Sequence, residues 1–437
     1  MSFTRARGSA ASAAFAVAAG AALVVLCTGC TPGISGARGP TAAAAASQGT
    51  GSAGPSATPA PVLPARSLPS PGCTTAVAAS PALDSVDTAM VGVPGAFGVA
   101  VTPNGHWVFV AGTGSVQVLR AAGSLAPVPV RSIPVTPGEP LGETISPDGR
   151  YLLAADATGA VVLSVARAEQ GASGAVLGTL ATPAGARGGG AIEVAVSPDD
   201  RYAFVTLEDS QRAAVFNLAK ALADGFGPAD YVGSIPLELA PVGITVSPDG
   251  RWLYATSEDR TLPRAGGAAA EGGTLSVISL RRAETDPAAS VVATVNAGCD
   301  PVRVITSADG NDVWVTARAS DDLLCFAAAR LATDPAKALV AITRVGEAPV
   351  GLAAVRGGSL VVVADSNRFG RSGASADLDV VNVADALSGW PAIDGHIGSG
   401  LFPRDMTVSP TGTLYVSNFS SGQLEAVHLA SIPVTRR

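Results

Sequence analysis

The chain has 437 residues, 47% of them hydrophobic and 14% charged, with a formal net charge of −7. That composition supports a large core and argues against general disorder. Residues 1–72 hold four arginines and no acid, leaving 24 basic against 35 acidic residues beyond them; so acidic a body is unsuited to nucleic acid or an anionic membrane surface, which need concentrated Lys and Arg.

The first segment, residues 1–30, carries Arg5 and Arg7 ahead of an apolar stretch from about Phe15 to Leu26. This is a basic region followed by a hydrophobic region too short for a transmembrane span. Thr28 and Gly29 then precede Cys30, an arrangement that resembles the lipobox of bacterial lipoproteins, with Cys27 standing where leucine is usual. The resemblance implies lipidation at Cys30, which would become the mature N-terminus. Residues 31–72 are almost entirely Ala, Gly, Pro, Ser and Thr. Such a stretch buries too little apolar surface to offset the entropy of ordering, and reads as a flexible stalk spanning roughly 35 Å.

From residue 73 to 437 one phrase recurs. It reads TPNGHWVFVAG (102–112), SPDGRYLLAAD (146–156), SPDDRYAFVTL (197–207), SPDGRWLYATS (247–257), SADGNDVWVTA (307–317), a degraded VRGGSLVVVAD (355–365) and SPTGTLYVSN (409–418). Proline presets φ at the second turn position and glycine takes the left-handed conformation at the fourth, so the phrase predicts a turn joining two antiparallel strands. A third strand follows each copy, such as TLSVISL, and after a variable gap a fourth, such as VVATVN. The seventh copy is followed by a third strand but no fourth before the chain ends, and DSVDTAMVGV (84–93) supplies the missing one. Seven four-stranded units closed by an N-terminal strand predict an all-β, seven-bladed β-propeller.

The segments SPTG and LYVSN (414–418), with LYATS and VWVTA in the same slot, resemble the YVTN repeat of a group of bacterial β-propeller proteins. The resemblance covers residues 73–437. The same group includes lactonase-like propellers, but no catalytic set carries over to this chain residue by residue.

Six places before the turn aspartate the repeats carry Gly98, Gly142, Glu193, Gly243, Arg303, Gly351 and Asp405, one structural position near the channel mouth. Glu193, Arg303 and Asp405 are therefore expected to project toward a common space, with Arg404 adjoining and Glu143 one place on in blade 2. They serve either as a ligand site or as mutually paired charges around a water-filled channel. A long loop in blade 6 offers Asp365, Asn367, Arg368 and Arg371 for an anionic or polyhydroxylated ligand, with Phe369 as a stacking face; the long loop of blade 4 (257–274) reads as drift.

Metal and nucleophile patterns are thin: the three histidines, His106, His396 and His428, occupy non-equivalent positions, and neither HExxH nor GxSxG occurs. No metal or other cofactor is expected, although Asp156, Asp365, Glu193 and Asn418 are conceivable oxygen ligands. With Cys30 assigned to lipid and Cys27 ahead of it in the leader, Cys73, Cys299 and Cys325 remain. Cys299–Cys325 would staple blade 5 to its entry loop and Cys73–Cys299 would pin the stalk to the ring; sequence does not choose between them. The expectation is a monomeric, extracytoplasmic binding or scaffold module, joined to the cell membrane only through its lipid. Its partner would be a protein, a glycan or a small anionic ligand. The alternative is a lactone hydrolase in which Glu193 activates water and Arg303 stabilises the oxyanion.

Overall fold

A computed structural model describes residues 68–121, 123–135, 138–183, 189–260, 272–370 and 376–433. Cys30, the stalk as far as residue 67 and Arg371 lie outside the described residues. Within them the strands form seven four-stranded sheets, blades 1 to 7 in chain order. Each blade runs antiparallel from an inner strand beside the channel to an outer one. The outermost strand of blade 7 is Thr88–Gly92, which pairs antiparallel with Gln423–His428 and sets Met90 opposite Glu425. The chain is a seven-bladed β-propeller, closed by its N-terminal strand.

The repeated turn holds itself together locally. In blade 2 the Ser146 hydroxyl donates to Asp148 Oδ1 (2.6 Å) and accepts the Tyr151 N–H (2.9 Å), while Asp148 Oδ1 also accepts the Arg150 N–H (2.9 Å). The same Ser–Asp bond recurs at Ser197–Asp199, Ser247–Asp249 and Ser307–Asp309. Gly149 follows at φ 74, and in blade 3 Asp200 takes that role at φ 61, a conformation Asp tolerates better than most side chains.

A second device joins neighbouring blades, and it explains the hydroxyl of the YVTN-like phrase. Thr256 Oγ1 accepts the N–H of Gly243 in its own blade (2.9 Å) and donates to the carbonyl of Val302 in blade 5 (2.8 Å). Thr206, Thr316 and Ser417 make the same two bonds, the last reaching Phe97 of blade 1. Blade 2 has Ala155 in this slot, and there the Gly142 N–H donates directly to Ile192 of blade 3 (2.9 Å). We expect Thr256→Val to cost about 1–3 kcal/mol, because it leaves a buried amide and carbonyl unbonded; urea unfolding checks this, with Thr256→Ser expected to retain most of the stability.

The core is divided into seven clusters, one between each pair of adjacent blades. Equivalent positions on the second strands supply Phe109, Phe204, Tyr254, Trp314 and Tyr415, all fully buried. This is why these strands are apolar on both faces. The variable gaps hold short helices in five blades: Val165–Gln170, Leu218–Asp224, Leu280–Ala283, Ala328–Leu331 and Val383–Ser388. They are too short to show a helical period. Ser164, Asn217 and Asn382 cap three of them.

Ahead of the closing strand, residues 68–87 cross the outside of three blades. Asn296 of blade 4 donates to the Ser70 hydroxyl (2.9 Å), and Arg344 of blade 5 to the Thr74 carbonyl (2.6 Å). Ala78 N–H bonds Val345, and in blade 6 His396 exchanges backbone bonds with Pro81 and Leu83. The disulfide is Cys73–Cys299, which decides between the two pairings left open by the sequence; Cys325 is a buried free thiol.

Candidate functional site

The inner strands place Glu143, Glu193, Arg303 and Asp405 around one cavity of about 430 Å³ in the channel. Arg303 Nη2 lies 3.1 Å from Glu193 Oε2, and both side chains are buried. Asp405 Oδ2 accepts the Val99 N–H of blade 1 (3.0 Å). Gly142 leaves the space the Glu193 carboxylate occupies, since a Cβ there would stand 2.5 Å from Glu193 Oε1. Glu143 is 5% exposed and its two carboxylate oxygens are buried without a hydrogen-bond partner; the same holds for Arg303 Nε and Nη1.

The charges are strongly perturbed. Burial, then the nearby Asp405, holds the Glu143 carboxyl well above the usual carboxylate range, against a smaller opposing effect of the Ala100 and Ala111 backbone. Burial also raises Glu193 and Asp405, and Arg303 opposes it at both.

The cavity opens at the end of the channel opposite to the one the sequence pointed to. Ile192, Val242, Val302 and Val350, each one residue before the charged position, are buried and meet across the upper end, with Leu141 and Phe402 packed against them. At the lower end, toward the repeated turns, the lining residues Val101, Ile145, Val246, Ile305 and Thr407 are half-buried. The channel is a well, capped above by aliphatic side chains and less closely covered toward the turn face. The capping residues were legible as aliphatic at one repeat position. Only the assembled ring shows that they touch.

Arg404 is not in the well's lining. Its guanidinium sits 3.8 Å from the Phe97 ring centroid and 5.4 and 5.9 Å from those of Phe402 and Phe419. Burial, then the charges of Arg303, Arg368 and Arg318, lowers its pKa. Arg368 lies over Phe402 (5.4 Å) and Phe369 (5.8 Å), so an arginine and aromatic surface forms on the upper face, where Phe369, Leu401 and Phe419 are exposed. Phe402 and Phe419 of blade 7 carried no sequence signal, because they come from loops without a repeat pattern, whereas Phe97 of blade 1 occupies the repeat position of the aliphatic cap.

Asp365 and Asn367 are not part of the well. Asp365 is buried opposite Asp377 in the strand register, and with Asp379 these form the one acidic group among the described residues close enough to share an ion. Asp379 is held by the Ser80 hydroxyl (3.1 Å) and the Gly346 N–H (2.8 Å). Asn367 bonds through its backbone to Glu347 (3.0 Å). The oxygen-ligand set considered from sequence is dispersed: Asp156 accepts the Glu139 N–H (3.0 Å), and Asn418 donates to Glu425 (3.0 Å).

Burial, then Asp379 and Asp377, pushes the Asp365 carboxyl well above its usual range, and Asp377 is raised to about 6. A carboxyl raised in the fold stabilises it below its unfolded pKa and loses that contribution as pH rises through the folded one. The midpoint of thermal unfolding is therefore expected to fall between pH 5 and pH 8. Asp365→Asn should flatten that slope and raise the pH 8 midpoint by about 1–3 °C.

The family described as "WD domain, G-beta repeat" (WD40) matches residues 239–262, the inner hairpin of blade 4. No curated protein sequence matches the chain. A solved chain of hydrazine synthase from Kuenenia stuttgartiensis is similar with 15% identity and a TM-score of 0.59, over 78% of this chain and 97% of that one. A chain in a crystal structure of the mitotic checkpoint complex is similar with 14% identity and a TM-score of 0.59, over 80% and 96%. What these proteins share with this chain is the fold, and by that fold the chain is a β-propeller.

Proposed function

We propose that this protein is an extracytoplasmic binding module, anchored through a lipid on Cys30 and raised on the stalk that runs from residue 31 to the strap at 68, that holds a small ligand in the channel well. The observation that carries this reading is the cavity of about 430 Å³ with buried polar atoms of Glu143 and Arg303 left without partners. Unbonded groups of this kind are costly to bury unless something bonds them. A glycan or protein partner would more naturally use the upper face, where Arg368, Phe369 and Phe419 are displayed. The lactone-hydrolase alternative asks Glu193 to be a free base, and its pairing with Arg303 at 3.1 Å removes that freedom.

A thermal-shift panel of small amphiphiles, including lactones, tests the reading. Hits on the full chain are expected to disappear in Thr245→Trp, which fills the well from its wall. Hits that survive that substitution would refute the well as the site, and lactone turnover abolished by Glu193→Ala would move the conclusion to the hydrolase. For the anchor, Cys30→Ser is expected to shift the protein from the membrane to the soluble fraction; an unchanged membrane fraction would refute lipidation there.

A further inference from the structure

The well is lined by three carboxylates, Glu143, Glu193 and Asp405, and one guanidinium, Arg303. That guanidinium pairs through Nη2 with Glu193, its Nε and Nη1 remaining unbonded, and Asp405 accepts a backbone N–H. Among the three carboxylates Glu143 alone has neither a counter-charge against it nor a hydrogen-bond partner within bonding geometry, only the Ala100 and Ala111 backbone favouring its ionised form, although it is 5% exposed and faces the cavity. What the Glu143 side of the well lacks is a positively charged hydrogen-bond donor.

We propose that the ligand is a small organic cation, a primary ammonium or amidinium head on a short apolar body. The inference rests on the proposed binding well and names its ligand chemistry. An anion entering the well would meet the Glu193 and Asp405 carboxylates and the acceptor oxygens of Glu143 against one guanidinium, so its Coulomb balance is unfavourable. A bare metal ion fits poorly too. The oxygens of Glu143, Glu193 and Asp405 do not all lie within 4.8 Å of one another, whereas an N–H-bearing head can reach separated acceptors. The lining contains no aromatic ring, so it lacks the cage that suits a quaternary ammonium. Val101, Ile145, Val246, Ile305, Leu352 and Met406 supply apolar walls for the body. The volume suits a small molecule.

The proton on Glu143 gives the inference its signature. The groups that act on that carboxyl are Asp405 and Glu193, which disfavour its ionised form, and the Ala100 and Ala111 backbone, which favours it. Arg303 and Arg404 stand beyond, engaged with Glu193 and Asp405. In the empty well the Glu143 carboxyl is therefore biased toward its protonated form. An entering ammonium takes the place of that proton, which leaves to buffer, and affinity rises with pH while the amine stays protonated.

The experiment titrates the full chain with n-butylammonium, butanol and butyrate by calorimetry at pH 6 and pH 8, in buffers of different ionisation heat. We expect n-butylammonium to bind at least tenfold more tightly than either analogue, severalfold more tightly at pH 8 than at pH 6, and with release of a proton. Glu143→Gln should weaken it at least tenfold and abolish the proton release. Proton release by the unsubstituted protein tests the idea even where that variant folds poorly. Binding of butanol or butyrate as tight as that of n-butylammonium would overturn the cation inference while leaving the binding well standing. Binding of none of the three would overturn both.

Discussion

A chain that starts at residue 93 is expected to associate and to lose the monomeric propeller. Thr88–Gly92 is the outermost strand of blade 7, bonded along its length to Gln423–His428. Removing it leaves that third strand as an open edge, and exposed edges recruit other strands. It also removes the hydrogen-bonded closure of the ring, since this is where the first strand of the domain pairs with the last. The strap ahead of it ties blades 4, 5 and 6 through Asn296, Arg344 and His396. Size-exclusion chromatography of the refolded truncation is the measurement, and a monomer with an unchanged urea midpoint would refute the closure argument. Cys73→Ser is the graded version. The disulfide spans 226 residues, and its loss should cost on the order of 2–5 kcal/mol without opening the ring.

Arg303→Met is expected to destabilise the fold by about 3–5 kcal/mol at pH 8, because it leaves the buried Glu193 charge unanswered. Burial raises the Glu193 pKa and Arg303 is the largest influence opposing that rise, so the substitution raises it further. A carboxyl raised in the fold takes up its proton as pH falls, so the penalty should shrink between pH 8 and pH 5. The double variant Arg303→Met, Glu193→Gln should recover most of the loss. Urea unfolding of the three proteins at both pH values reads the result. A pH-independent loss, or no recovery in the double variant, would assign the cost to lost arginine packing in place of charge pairing.

Both predictions start from positions that the repeat made legible. Spacing from the turn aspartate put Glu193, Arg303 and Asp405 at one height, and the structure places them with Glu143 around one cavity. It pointed to the wrong end as the open one, because the aliphatic cap exists only where five blades bring equivalent residues into contact. Asp365 shows the same limit. Its slot matched Asp156 and Asn418, yet strand register sets it opposite Asp377, a partner supplied by a neighbouring strand.

The sequence by itself determined the repeat, the turn chemistry, the number of blades and the strand that closes them. These depend on local φ preferences and on strand period, which each copy of the phrase states again. The tertiary structure alone decided the Cys73–Cys299 pairing, the capped upper end, the aromatic surroundings of Arg404 and the burial of Glu143 without a counter-charge. Each of those depends on distances between residues from different blades, and a circular arrangement fixes such distances only once all seven sheets are in place.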